Sequence, residues 1–140
     1  MRKTPLILLP LLLAGCVKQS ASYYINDSKE HSLTVRVEQR YFWEDQVELT
    51  VVASRWPDCV RVFRLITMPV DEVVLELFDA GDNTYTLRSG TQLWQVETQT
   101  CSQKAAPAPE AMGDPVGVFR VGEGEKMDLE LAKPAAPPPA

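Results

Sequence analysis

The chain has one histidine and three cysteines in 140 residues. Metal centres and nucleophilic active sites draw heavily on these two residue types, so few of either can be built here. No CxxC pair is present, and with it goes the usual low-pKa redox thiol. G-x-S-x-G and a glycine-rich phosphate loop are missing as well. Cations are the minority charge: 14 Lys and Arg against 19 Asp and Glu, a formal net charge of -5. Nucleic acid is normally captured by a basic surface, so it is not an expected partner. No cofactor or metal is expected. What remains is ordinary for one globular domain, with 45% hydrophobic and 24% charged residues.

The first segment is the most specific. Arg2 and Lys3 precede an apolar run from Leu6 to Leu13, interrupted by Pro10. The run is too short for a mature membrane span, which needs roughly 20 apolar residues. It fits the apolar part of a secretory signal peptide over residues 1–15. Leu13-Ala14-Gly15-Cys16 resembles the lipobox of bacterial lipoproteins. The resemblance implies cleavage before Cys16 and acylation of that cysteine. Val17 follows where an Asp often retains such proteins in the inner membrane, which implies the outer membrane. The periplasmic face is the expected one, although no residue of the segment specifies it. Losing Arg2 and Lys3 with the signal makes the mature chain more acidic still. Anionic headgroups offer it no electrostatic attraction, so the acyl chains on Cys16 are its expected membrane attachment. The resemblance ends at the lipobox, and the mature domain resembles no named family.

Cys59 and Cys101 are then the only cysteines left. In an oxidising compartment a disulfide between them is the default. Chain entropy gives a bridge of this span roughly 4 kcal/mol at most. A redox role has no CxxC motif to support it.

Residues 16–32 are mostly polar and read as a lipidated tether, with Tyr23, Tyr24 and Ile25 as the exception that packs on the domain. From Leu33 the apolar period becomes two over a β domain spanning 33–131. Leu33, Val35 and Val37 alternate with Thr34, Arg36 and Glu38. Val47, Leu49, Val51 and Ala53 alternate with Glu48, Thr50, Val52 and Ser54, with Glu44-Asp45 as the intervening turn. Pro57 breaks the pattern. The next strand, from Cys59, shows Val60, Val62 and Ile66 on one face and Cys59, Phe63 and Leu65 on the other. Two apolar faces predict a central strand. Residues 70–79 carry both helical and strand signals; the β-branched residues favour strand. A hairpin around Arg88-Ser89-Gly90 follows, then a Pro/Ala-rich loop at 102–115, then a last hairpin around residues 122–125. Residues 132–140 form a disordered, polyproline-like tail. The fold class is all-β: a small antiparallel meander forming a barrel or sandwich.

The candidate chemistry is sparse. His31 lies in the expected tether and reads as solvated. Asp79, Asp82 and Asn83 lack the EF-hand spacing and read as turn formers. Nineteen acids make any carboxylate pairing uninformative about glycoside cleavage. Arg36, Arg40, Arg55, Arg61 and Arg64 form either an anion-binding patch or cross-strand pairs with Glu38, Glu48 and Asp58. Trp43, Trp56 and Trp94 form either a binding platform or core filling, with Trp43 and Trp56 the pair nearer strand ends. Trp43, Trp56, Arg55 and Arg61 are therefore the candidate binding surface. The expectation is a non-catalytic envelope lipoprotein with a protein partner. The alternative is a periplasmic module for glycan, peptide or lipid, including a wall-hydrolase inhibitor. An interaction protein predicts an open strand edge or an apolar patch, and a binder predicts a pocket.

Overall fold

The computed structural model describes residues 18–122 and 126–132; the signal segment, Cys16 and the tail from residue 133 lie outside them. Ten strands follow one another: β1 (Lys18–Tyr24), β2 (His31–Glu38), β3 (Gln46–Arg55), β4 (Cys59–Pro69), β5 (Val74–Gly81), β6 (Thr84–Ser89), β7 (Gln92–Glu97), β8 (Ser102–Lys104), β9 (Asp114–Val121) and β10 (Met127–Leu131). All pairings are antiparallel. They form a four-stranded sheet in the order β1-β2-β3-β4 and a six-stranded sheet in the order β10-β9-β5-β6-β7-β8. The protein is all-β, and the sheets stack as a sandwich without closing into a barrel. The first sheet is the expected meander. The second is not, because β9 returns beside β5 instead of continuing from β8.

Alternation explains both inner faces. Leu33, Val35 and Val37 of β2 and Val47, Leu49, Val51 and Ala53 of β3 point into the core. Leu75, Leu77, Leu87, Val96 and Phe119 meet them from the second sheet, and all five are fully covered. Each buried side chain of this size contributes about 1.5–3 kcal/mol of transfer free energy. The two sheets are tied across the core at named points. Tyr23 of β1 meets Tyr85 of β6 edge-on at 6.0 Å. The Cys59–Cys101 disulfide joins the start of β4 to the residue before β8.

Residues 18–32 are not a tether. Lys18 to Tyr24 pair with β2 over their whole length, and Ile25 is buried in the core. The inward positions of β1 include Gln19 and Ala21, so the strand has almost no apolar period to read. The strand from Cys59 to Pro69 is not central either; β4 is the edge of its sheet. Leu49 pairs with Ile66 and Thr50 with Arg64, which leaves Leu65 as an extra residue in a bulge. The bulge reverses the phase of alternation, so Phe63 and Ile66 both face inward while Val60 and Val62 face out. This mimics two apolar faces in the sequence.

The ambiguous stretch at 70–79 is a single 3-10 turn at Val70–Glu72 followed by strand β5. Asp82 and Asn83 both have positive φ, 53° and 57°, and close the β5–β6 hairpin as a two-residue turn. The Pro/Ala-rich loop is shorter than expected. Ser102–Lys104 extend the second sheet as β8, and β9 begins at Asp114. The remainder lies against the outer face of that sheet, where the Thr86 hydroxyl donates to the Met112 carbonyl at 2.9 Å. Gly113 allows this approach. Its φ is 99°, and a Cβ there would sit 2.1 Å from the Asp79 carbonyl oxygen.

Candidate functional site

The structure separates the residues expected to form one binding surface. Trp43 lies in the loop between β2 and β3, and Trp56 follows β3 at its far end. β3 has ten residues, and a strand rises about 3.3 Å per residue. The two tryptophans therefore sit at opposite ends of the sandwich and do not make a common platform. Both are exposed, while Trp94 is partly buried against the core.

Arg55 and Arg61 stay with Trp56. They occupy the same face of neighbouring strands, Arg61 opposite Ala53 and Arg55 opposite Cys59. Arg61 lies over the Phe63 ring at 5.2 Å. Arg55 Nε is 3.8 Å from Asp58, and Arg55 Nη1 is buried with no hydrogen-bond partner among the described residues. Arg36 and Arg64 lie on the other face, in one row across Thr50, and Arg64 pairs with Glu48 at 3.5 Å. The five arginines are thus not one patch.

His31 is structural. It is half-buried at the start of β2, with Nε2 3.0 Å from the Thr98 hydroxyl. That hydroxyl donates to the Asn83 carbonyl at 3.0 Å, so its lone pair receives Nε2–H of His31. Burial lowers the His31 pKa below its usual value, and the Arg55 charge lowers it further. Nearby, Glu97 caps the turn that leads to Cys101. It accepts the N–H groups of Gln99 at 2.6 Å and Thr100 at 3.0 Å and the Thr100 hydroxyl at 2.6 Å. Burial pushes its pKa up, but these bonds outweigh burial and hold the carboxyl below its usual range.

The surface with the clearest binding geometry is the outer face and free edge of the first sheet. Two adjacent rows cross all four strands there. One is Tyr24, Ser32, Ser54 and Val60; the next is Ser22, Thr34, Val52 and Val62. None of these residues is charged. Tyr24, Val60 and Val62 are exposed. The following rows carry the ion pairs Arg64–Glu48 and Lys18–Glu38, the latter at 3.6 Å, so the uncharged band has a charged border. β4 hydrogen-bonds to a neighbour on one side only. Its first half, up to Arg64, pairs regularly with β3, and the bulge at Leu65 comes after it. An edge of this kind offers unpaired backbone donors and acceptors to an added strand.

No protein-family model matches this chain, nor does any curated protein or solved structure. The site therefore stands on its own chemistry.

The other three sheet edges are less open. β8 has three residues, and β1 and β10 lie beside each other. The second sheet instead has a pocket of about 480 Å³ on its outer face, lined by Glu76, Phe78, Arg88, Val118, Arg120, Glu130 and Leu131 among others. Arg88 Nε donates to Glu76 at 2.5 Å and its guanidinium lies over Phe78 at 5.2 Å. The bond from Arg88 is the main cause of a lowered Glu76 pKa, which burial opposes and the charges of Arg88 and Arg120 reinforce. No group of three or more His, Cys, Asp or Glu is arranged to hold a metal among the described residues.

Val60, Val62 and Tyr24 were not among the expected site residues. Val60 and Val62 were visible as apolar positions, but their exposure depends on β4 being an edge. Trp43 is an expected site residue, but its neighbours Tyr41 and Phe42 are not, although three consecutive aromatics in a turn are hard to bury.

Proposed function

We propose that the chain is a lipid-anchored, non-catalytic interaction protein of the bacterial outer membrane, with its domain in the periplasm and an envelope protein docked along β4. The lipobox supports the attachment and the compartment, with Cys16 as the acylated residue. The single observation that carries the interaction is the free edge of β4 beside an uncharged band with Val60 and Val62 exposed. An added strand would gain main-chain hydrogen bonds along the edge, and alternate side chains of the partner would cover the valines.

The test is crosslinking of the tagged full-length protein in intact cells, with captured proteins identified by mass spectrometry. A single dominant envelope protein is expected, and its capture is lost when Val60 and Val62 are both changed to Lys. Capture that is indifferent to the two substitutions contradicts docking at β4.

A second reading, a module that binds a glycan, peptide or lipid, rests on the pocket between β5, β9 and β10. Its volume lies within the range of small-ligand sites, roughly 300–1,000 Å³, and it combines an apolar floor with the Arg88–Glu76 pair. Under this reading Arg120→Ala abolishes ligand binding and leaves the β4 crosslink intact.

A further inference from the structure

We infer that the loop Tyr41-Phe42-Trp43 is a membrane-contact site, seated in the lipid–water interface beside the anchor; this rests on the proposed acylation of Cys16. The three rings are exposed by 44%, 60% and 67%. They pack on one another instead of on the core: Trp43 stacks on Tyr41 at 4.7 Å and meets Phe42 edge-on at 4.9 Å. The loop is built, not slack. Glu44 N–H donates to the Tyr41 carbonyl at 3.1 Å, which makes a turn with Phe42 and Trp43 at its apex. The Gln39 side chain donates to the Glu44 carbonyl, and Val70 N–H to the Asp45 carbonyl at 2.9 Å. A turn fixed at both flanks thus holds the rings outward.

The place of this loop decides its occupant. Lys18, the first residue of β1, stands opposite Glu38, the last residue of β2 and the one that leads into the loop. Cys16 precedes Lys18 by two residues, at most about 7 Å of extended chain. Acyl chains on Cys16 and the aromatic turn therefore leave the sandwich at the same end. Tryptophan and tyrosine favour the headgroup level of a bilayer, where an apolar ring and a polar edge are both satisfied. Glu48 is paired with Arg64 and Glu38 with Lys18, and Glu44 and Asp45 outnumber Arg40 beside the loop. Contact is accordingly apolar, not electrostatic, and is insensitive to salt. Such a contact converts a swivelling lipid tether into a fixed orientation, with Trp56 and the β4 start held away from the bilayer.

The test uses the purified full-length lipidated chain in phosphatidylethanolamine–phosphatidylglycerol vesicles with brominated acyl chains. Tryptophan fluorescence is compared among the native chain, Trp43→Tyr and Trp56→Tyr; both positions are exposed, so both variants fold. Quenching by the brominated lipid is expected in the native chain, lost with Trp43→Tyr and retained with Trp56→Tyr. A chain that floats with the vesicles while Trp43 stays open to aqueous iodide overturns the membrane contact and leaves the anchor standing. A chain that does not float overturns both. Shielding of Trp43 only when a co-purified protein is present assigns the loop to a protein partner and likewise overturns the membrane contact.

Discussion

Val62 stands opposite Val52 on the outer face of the four-stranded sheet, yet Val52 is 8% exposed and Val62 is 54% exposed. The difference comes from strand order alone. Val52 has a strand on either side, whereas Val62 has β3 on one side and an open edge on the other. Natural sheets usually protect such edges with shortness, charge or bulges. β8 is short, and β4 carries Arg61, Arg64 and the bulge at Leu65. The segment from Cys59 to Arg64 is nevertheless regular, and two of its three outward residues, Val60 and Val62, are valines. That combination makes β4 the docking edge.

Val62→Lys is expected to leave stability within about 0.5 kcal/mol of the native chain, because the side chain points into solvent. Chemical denaturation of the two chains checks this. A loss of several times that size places Val62 in a packed environment and removes it from any docking surface.

The disulfide closes the open side of the sandwich. Replacing Cys59 and Cys101 together by Ser is expected to cost about 2–4 kcal/mol. The loss appears as a lower denaturation midpoint with a steeper denaturant slope, because the unfolded chain without the crosslink exposes more surface. The β4 edge then loses its tie to the second sheet, so hydrogen exchange is expected to speed up first at the start of β4.

Neutral His31 links stability to acid. Its folded pKa is lowered by burial and by Arg55, so the unfolded chain binds the proton more readily. Stability therefore rises with pH across this titration and is lost as pH falls below the unfolded value of about 6.5. Thermal unfolding of His31→Gln is expected to show a flatter pH dependence between pH values near 7 and near 5.

Tyr85 does the same at the alkaline end with opposite sign. Burial, then the charges of Asp79 and Tyr23, push its pKa up to about 12. The stability it contributes is complete below about 10 and disappears as pH rises through the folded value. Burial also raises the pKa of Tyr23, so phenolate absorbance should show two tyrosines ionising late, and Tyr85→Phe should remove the step near 12 and weaken alkaline unfolding.

Much of the fold was legible in local pattern. β2 alternates strictly, and β3 does so apart from the outward Val52, because each lies within a sheet with one dry face. Asp82-Asn83 was legible as a turn because both residues tolerate positive φ. β1 was not legible, since Gln19 and Ala21 take inward positions without an apolar signature. β4 misled because one inserted residue, Leu65, reverses the alternation. The site was less visible than the fold. That Trp43 and Trp56 are exposed follows from their places near strand ends. That β4 is an edge follows only from which strands pair over long range, and no local window contains that. Cys16 lies outside the described residues, so its role stays with the lipobox resemblance.

The most direct measurement is site-specific photocrosslinking in intact cells from a benzoylphenylalanine placed at Val62, with a second placed at Arg120 on the opposite sheet as comparison. Docking along β4 predicts one dominant adduct from position 62 and none of that mass from position 120. Equal adducts from both positions, or none from position 62, contradict it.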